Sequence, residues 1–209
     1  MFKQKFFFEL IPSIIIILIP MFLISGPFLP DLGVSIVAVL FLINSIKNKL
    51  FHYYNNIYFK IFITFWFFLI ISSLLSDNIM NSLKTSFFYF RFGIFSLCFW
   101  YLIDKNQKIF NYLFYTILIC FLCLIIDGYV QFFNGKNIFG LELSDGYRIS
   151  SFFGSELVLG SYLCRIFPIF FGLFIIIDQK NKIKKKTLFM LSLIFIFSEG
   201  LVLLSGERV

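Results

Sequence analysis

Charge is what this sequence has least of. Only 14% of its residues are Asp, Glu, Lys or Arg, about half the share of an ordinary soluble domain. Hydrophobic residues make up 60% of the 209-residue chain. A soluble fold of that length has too little interior to hide so much apolar surface, so lipid is the solvent for most of it. Histidine is nearly absent as well. The single one, His52, lies among Lys and Asn in a connecting stretch and reads as a solvated loop residue. No His cluster or second pair therefore accompanies the Cys120-x-x-Cys123 motif. All four cysteines (Cys98, Cys120, Cys123, Cys164) fall in apolar runs and read as small apolar residues inside helices. Internal repeats, a Rossmann glycine pattern, a P-loop and zinc-ligand spacing are all lacking, and no metal or cofactor is expected.

What is present is a series of apolar runs. A bilayer-spanning helix needs about 20 such residues. Seven runs come close: Leu10 to Ser25, Leu32 to Ile46, Ile61 to Leu75, Ser86 to Ile103, Ile109 to Ile126, Phe152 to Ile177 and Thr187 to Leu204. Gly26, Pro27 and Pro30 make a tight turn between the first two. Lys3 and Lys5 before the first run resemble a signal peptide, but no small-x-small cleavage site follows, so the run reads as an uncleaved helix. The expectation is an all-α, polytopic transmembrane bundle of about seven helices, one domain over residues 1–209. The chain stops at a membrane boundary after Gly206-Glu207-Arg208-Val209, which reads as the N-terminal fragment of a longer protein.

Orientation follows from the basic residues. With the N-terminus in the cytoplasm, the inner segments hold Lys3, Lys5, Lys47, Lys49, Lys60, Lys105, Lys108, Lys180, Lys182, Lys184, Lys185 and Lys186. The outer segments hold only Lys84, Lys136, Arg148 and Arg208. Twelve against four fixes the N-terminus inside, and assigns the net charge of +7 to a membrane surface and not to nucleic acid. Tyr53, Tyr54, Tyr58, Trp100 and Tyr101 then form an inner aromatic belt, with Tyr129 and Tyr147 at the outer one.

The longest outer loop runs from 127 to 151 and holds Gly128, Gly135, Gly140 and Gly146, a third of the chain's twelve glycines. Ionisable residues inside the apolar runs carry more information. A charge at the bilayer centre costs ~3 kcal/mol on insertion scales, so it implies a partner, a wet cavity or a function. Arg91, Glu156, Glu199 and, deeper, Arg165 are of this kind, and the first three lie toward the outer end of their runs. Glu9, near the inner end, reads as snorkelling. Internal salt bridges, for example Arg91 or Arg165 with Glu156 or Glu199, are the plain reading; a polar cavity opening outward is the functional one. Every Arg lies in an apolar run or at its outer end, whereas the inner loops use only Lys. A guanidinium fork matches phosphate oxygens better than an ammonium does, and Arg148 before a helix start suits an anion.

Two segments then resemble the O-antigen ligase and O-antigen polymerase family of bacterial inner-membrane glycan-transfer proteins. One runs from Asp127-Gly128-Tyr129-Val130-Gln131 through Gly135-Lys136-Asn137-Ile138-Phe139-Gly140 to Arg148-Ile149-Ser150-Ser151-Phe152-Phe153-Gly154, with Glu156-Leu157 and Gly160-Ser161-Tyr162-Leu163 after it. The other is Ser205-Gly206-Glu207-Arg208. The resemblance implies metal-independent glycosyl transfer at the periplasmic face. The donor would be a glycan on undecaprenyl pyrophosphate, and the acceptor the lipid A core of lipopolysaccharide (ligase) or another lipid-linked repeat unit (polymerase). It also implies that Arg148 and Arg208, then Arg91 and Arg165, bind the donor pyrophosphate, with Glu156 orienting an arginine or an acceptor hydroxyl. Members of that family are longer and carry a large periplasmic loop, with a His in ligases, that this chain lacks. A secondary transporter or flippase for an anionic or lipid-linked envelope substrate, and a non-catalytic membrane scaffold, are the competing readings. A transporter should show related halves or helices broken near the midplane, and neither is visible in the sequence.

Overall fold

A computed structural model describes residues 6–144, 146–181 and 185–206. Arg208, Glu207, Asp145, Lys3, Lys5, Lys182 and Lys184 lie outside them. The described chain is helical, and seven of its helical segments are long and apolar enough to cross a membrane. The chain is thus an all-α, multi-pass membrane protein. A π-turn at Phe6–Leu10 leads into α1 (Ile11–Ile24). Then come α2 (Phe28–Lys47), α3 (Ile57–Leu74), α4 (Ile79–Phe88), α5 (Phe90–Lys105), α6 (Lys108–Asn134), α7 (Leu159–Asn181) and α8 (Lys185–Ser205). The turn expected at Gly26 is there, with a left-handed φ of 114°. The chain divides into two compact units, residues 1–16 with 30–109 and residues 17–29 with 110–209.

In the first unit, the core is an apolar stripe of α2 (Val34, Val37, Ala38, Phe41) and one of α5 (Ile94, Leu97, Cys98, Tyr101, Leu102). Both recur at three- and four-residue steps, one face of a helix. The Phe41 and Tyr101 rings lie 5.8 Å apart. A short 3-10 turn, Phe51–Tyr54, brings Tyr53 over this core, where its hydroxyl donates to Asp104 Oδ2 at 3.0 Å. Glu9 accepts from the Tyr101 hydroxyl at 3.3 Å, so it has a partner besides the interface.

α3 buries only Ser73 and α4 buries nothing. Their apolar side chains need no protein cover where lipid is the solvent, and polar contacts do the joining. Ser73 Oγ meets Ser86 Oγ, Ser76 Oγ donates to Ser82 Oγ at 2.8 Å, and Trp66 Nε1 donates to the Ser86 carbonyl at 2.9 Å. α3 approaches α5 at Gly93, where a Cβ would stand 2.2 Å from the Phe62 ring. The fourth run, read as continuous from Ser86 to Ile103, extends back to Ile79, with a one-residue turn at Tyr89. Asn81, Ser82, Lys84 and Thr85 dilute its hydropathy and hide the earlier part.

The second unit packs α6, α7 and α8. Phe114 stacks on Phe170 at 4.9 Å, Phe121 lies 5.4 Å from the same ring, and Phe167 meets Phe195 at 4.6 Å. Two boundaries differ from the sequence reading. α6 continues through Asn134, so Asp127 to Asn134 are helix and not loop. The sixth run does not begin a helix at Phe152: a 3-10 turn at Ser151–Phe153 and a left-handed Gly154 (φ 63°) intervene, and α7 starts at Leu159. Phe152 and Phe153 are apolar because they pack the connector, on Phe139 at 5.5 Å and Tyr162 at 5.7 Å respectively.

Candidate functional site

The connector from 135 to 158 is folded onto the end of α6 by a buried polar knot. Asp127 and Gln131 stand four residues apart, hence on one face, and both are fully buried. Asp127 Oδ1 accepts from the Ile138 N–H at 3.0 Å. Its Oδ2 accepts from Ser151 Oγ at 2.6 Å and from Asn137 Nδ2 at 3.3 Å. Gln131 Oε1 accepts from the backbone N–H groups of Ser150 and Ser151, at 3.1 and 2.7 Å. Its Nε2 donates to the Glu142 carbonyl at 3.0 Å and the Leu141 carbonyl at 3.4 Å. Asn137 closes the loop: its Oδ1 accepts from the N–H groups of Phe139 and Leu141, while its Nδ2 also reaches the Ser151 carbonyl at 3.1 Å. Burying these groups is tolerable only because each is paired. Ser151 is held at φ 51°, a left-handed conformation that costs ~1 kcal/mol or more in a non-glycine residue.

This knot positions Arg148. Arg148 and Ser144 exchange both backbone hydrogen bonds, at 2.8 and 2.9 Å, around Gly146. Ile149, next along, is buried. Arg148 Nη2 then donates to the Gly206 carbonyl at 3.1 Å, just past the end of α8. Gly206 has φ 64°, and a Cβ there would lie 3.2 Å from Arg148 Nε. Glycine thus serves both the left-handed cap and the close approach. A cation at a helix C-terminus also complements the macrodipole. The Lys136–Glu142 pair at 3.0 Å is exposed and contributes little.

The other residues named from the sequence lie in different settings. Glu156 is not inside a helix; it is exposed in the last turn of the connector, its N–H bonded to the Phe153 carbonyl at 3.1 Å. Arg91, in the first unit, forms an ion pair with Asp31 and donates to Ser35 Oγ at 3.1 Å. Its partner is therefore an acid at the start of α2, and not Glu156 or Glu199. Arg165 and Glu199 are both exposed and have no hydrogen bond or ion pair among the described residues. Sequence reasoning assigned the knot residues no role. Their signal was available: the buried stripe of α6 (Leu113, Ile117, Phe121, Leu124) runs on at the same period into Asp127 and Gln131. Polar residues on an apolar stripe need partners, and the connector supplies them. No family model, curated protein or solved structure matches the chain.

Proposed function

We propose that this chain belongs to a glycosyl-transfer system at the outer face of the bacterial inner membrane. It moves a glycan from undecaprenyl pyrophosphate to the lipid A core or to another lipid-linked repeat unit. The observation that supports this best is Arg148, a guanidinium held in place by a braced connector beside the residues that lead into Arg208. In the proposed reaction an acceptor hydroxyl attacks the anomeric carbon of the donor. The bond from that carbon to the pyrophosphate oxygen breaks, the electron pair leaves with the diphosphate, and the hydroxyl proton is released. Guanidinium groups stabilise the charge that grows on the leaving oxygens. Arg148 and Arg208 take that role, and Glu156 in the same connector orients the acceptor hydroxyl. Arg91 is already neutralised by Asp31, and neither it nor Arg165 has a part in this scheme.

The alternative is a transporter or flippase; at Tyr89, the one turn residue in the membrane segment 79–105, the backbone stays α-helical (φ −61°, ψ −25°) with its N–H on the Thr85 carbonyl, so that segment lacks the unwound stretch found beside transport sites. Removing Arg148 separates the two readings. Arg148→Ala and Arg208→Ala in the full-length protein should each lower glycan capping or elongation by about 100-fold or more, at unchanged protein level. Lipid-linked donor should accumulate on the periplasmic side. Accumulation on the cytoplasmic side would favour the flippase, and normal glycan profiles in both variants would exclude the enzymatic reading. The scheme also needs the connector on the periplasmic side. A topology reporter after Ser144 is expected to give a periplasmic signal and one after Lys186 a cytoplasmic signal; the reverse pattern defeats the scheme.

A further inference from the structure

We propose that two copies of this chain associate through the exposed faces of α7 and α8, with Arg165 of each copy paired to Glu199 of the other. The fold leaves two charges, Arg165 and Glu199, exposed within membrane-spanning helices. Both side chains are exposed, and neither has a partner among the described residues. Helical side chains lean toward the N-terminus of their helix. For Arg165 this direction leads to the start of α7, six residues or roughly 9 Å away, and a long side chain covers much of that distance. For Glu199 the same lean points away from the near end of α8 and deeper into the membrane. A short carboxylate cannot climb back, so it is left in hydrocarbon, an unfavourable place for a charge, unless a cation meets it there.

A cation stands at nearly the right depth. Phe167 of α7 and Phe195 of α8 meet at 4.6 Å and fix the register of these two helices. Arg165 lies two residues and Glu199 four residues from that contact, both toward the end where Arg148 meets Gly206. At 1.5 Å per residue their Cα atoms differ in depth by roughly 3 Å. Within one copy they are not paired. A two-fold axis along the membrane normal leaves depth unchanged, and a two-fold interface brings residue i against j and j against i. Two opposite charges at matched depth on neighbouring exposed helices therefore meet twice in such a dimer. Ile169, Phe171 and Ile196, each about half exposed or more, supply apolar contact beside them (50%, 52% and 61%).

The test uses the full chain in lipid vesicles, with subunits counted by fluorescence at increasing protein-to-lipid ratio. The wild type should dimerise. Arg165→Glu and Glu199→Arg should each weaken dimerisation by about tenfold or more, since two interhelical pairs turn repulsive. An equal mixture of the two single variants should dimerise again, because every pair across the mixed interface is then opposite in charge. A folding defect inside one copy gains nothing from mixing. Arg165→Gln and Glu199→Gln repeat the test without a new charge, each lowering the dimer fraction. A monomeric wild type at every density, failure of the mixture to recover, or unchanged dimer in both Gln variants would overturn the proposal.

Discussion

Asp127→Ala is expected to release the connector from the end of α6. The substitution removes one acceptor group and leaves two donors without partners, the Ile138 N–H and the Ser151 hydroxyl, while the Asn137 amide keeps only the Ser151 carbonyl. Each unsatisfied group costs about 1–3 kcal/mol, so the local penalty is roughly 2–4 kcal/mol even with some relaxation. That corresponds to about a hundredfold rise in local opening. The helices themselves should stay intact, because the α6, α7 and α8 contacts lie elsewhere along their length. Limited proteolysis is the direct readout: cleavage within 135–158 should accelerate strongly while the helical circular dichroism stays near wild type. Asp127→Asn keeps one carbonyl acceptor and should fall between the two. A connector as resistant in Asp127→Ala as in wild type would show that the knot does not hold it.

Gln131→Glu is the second large effect, and it changes a single atom. The amide nitrogen that donates to the carbonyls of Glu142 and Leu141 becomes an oxygen facing two oxygens. A carboxylate there is repelled by both carbonyls and buried without a donor for that oxygen, so the connector should open ~2–4 kcal/mol more readily than in the wild type. Hydrogen exchange of the Ser150 and Ser151 amides, which bond to Gln131 Oε1, measures this site. Wild-type protection of both amides in the variant would refute it.

The helical class and the seven membrane segments were legible because lipid imposes one dominant rule, about 20 apolar residues per crossing. The rule failed wherever polarity and secondary structure part company. α4 is helical yet carries Asn81, Ser82, Lys84 and Thr85, so its start was missed. Phe152 and Phe153 are apolar yet not α-helical, because Gly154 turns the chain there. Asp127 and Gln131 are polar yet inside a helix, because their partners arrive from a connector 10 to 24 residues further along. That pairing is a tertiary fact with no local signature beyond the periodicity of the stripe it interrupts. Arg148 stands out in the sequence by its residue type and its place before an apolar run. Its neighbour, the Gly206 carbonyl, lies 58 residues away and was not foreseeable. Arg91 stands out by its depth in an apolar run, whereas its partner Asp31, 60 residues earlier, belongs to a different helix.

The knot also sets an order of events in biogenesis. The apolar part of α6, from Ile109 to Ile126, spans roughly 27 Å, about the thickness of the hydrocarbon core. It can be handed to the bilayer as soon as it is made. The next two turns carry Asp127 and Gln131, whose partners are still unsynthesised at that moment. They cannot be paired and buried until residues through Ser151 have been added. The end of α6 is therefore completed after its beginning has been inserted, with the growing chain acting as the folding partner of a helix already in the membrane.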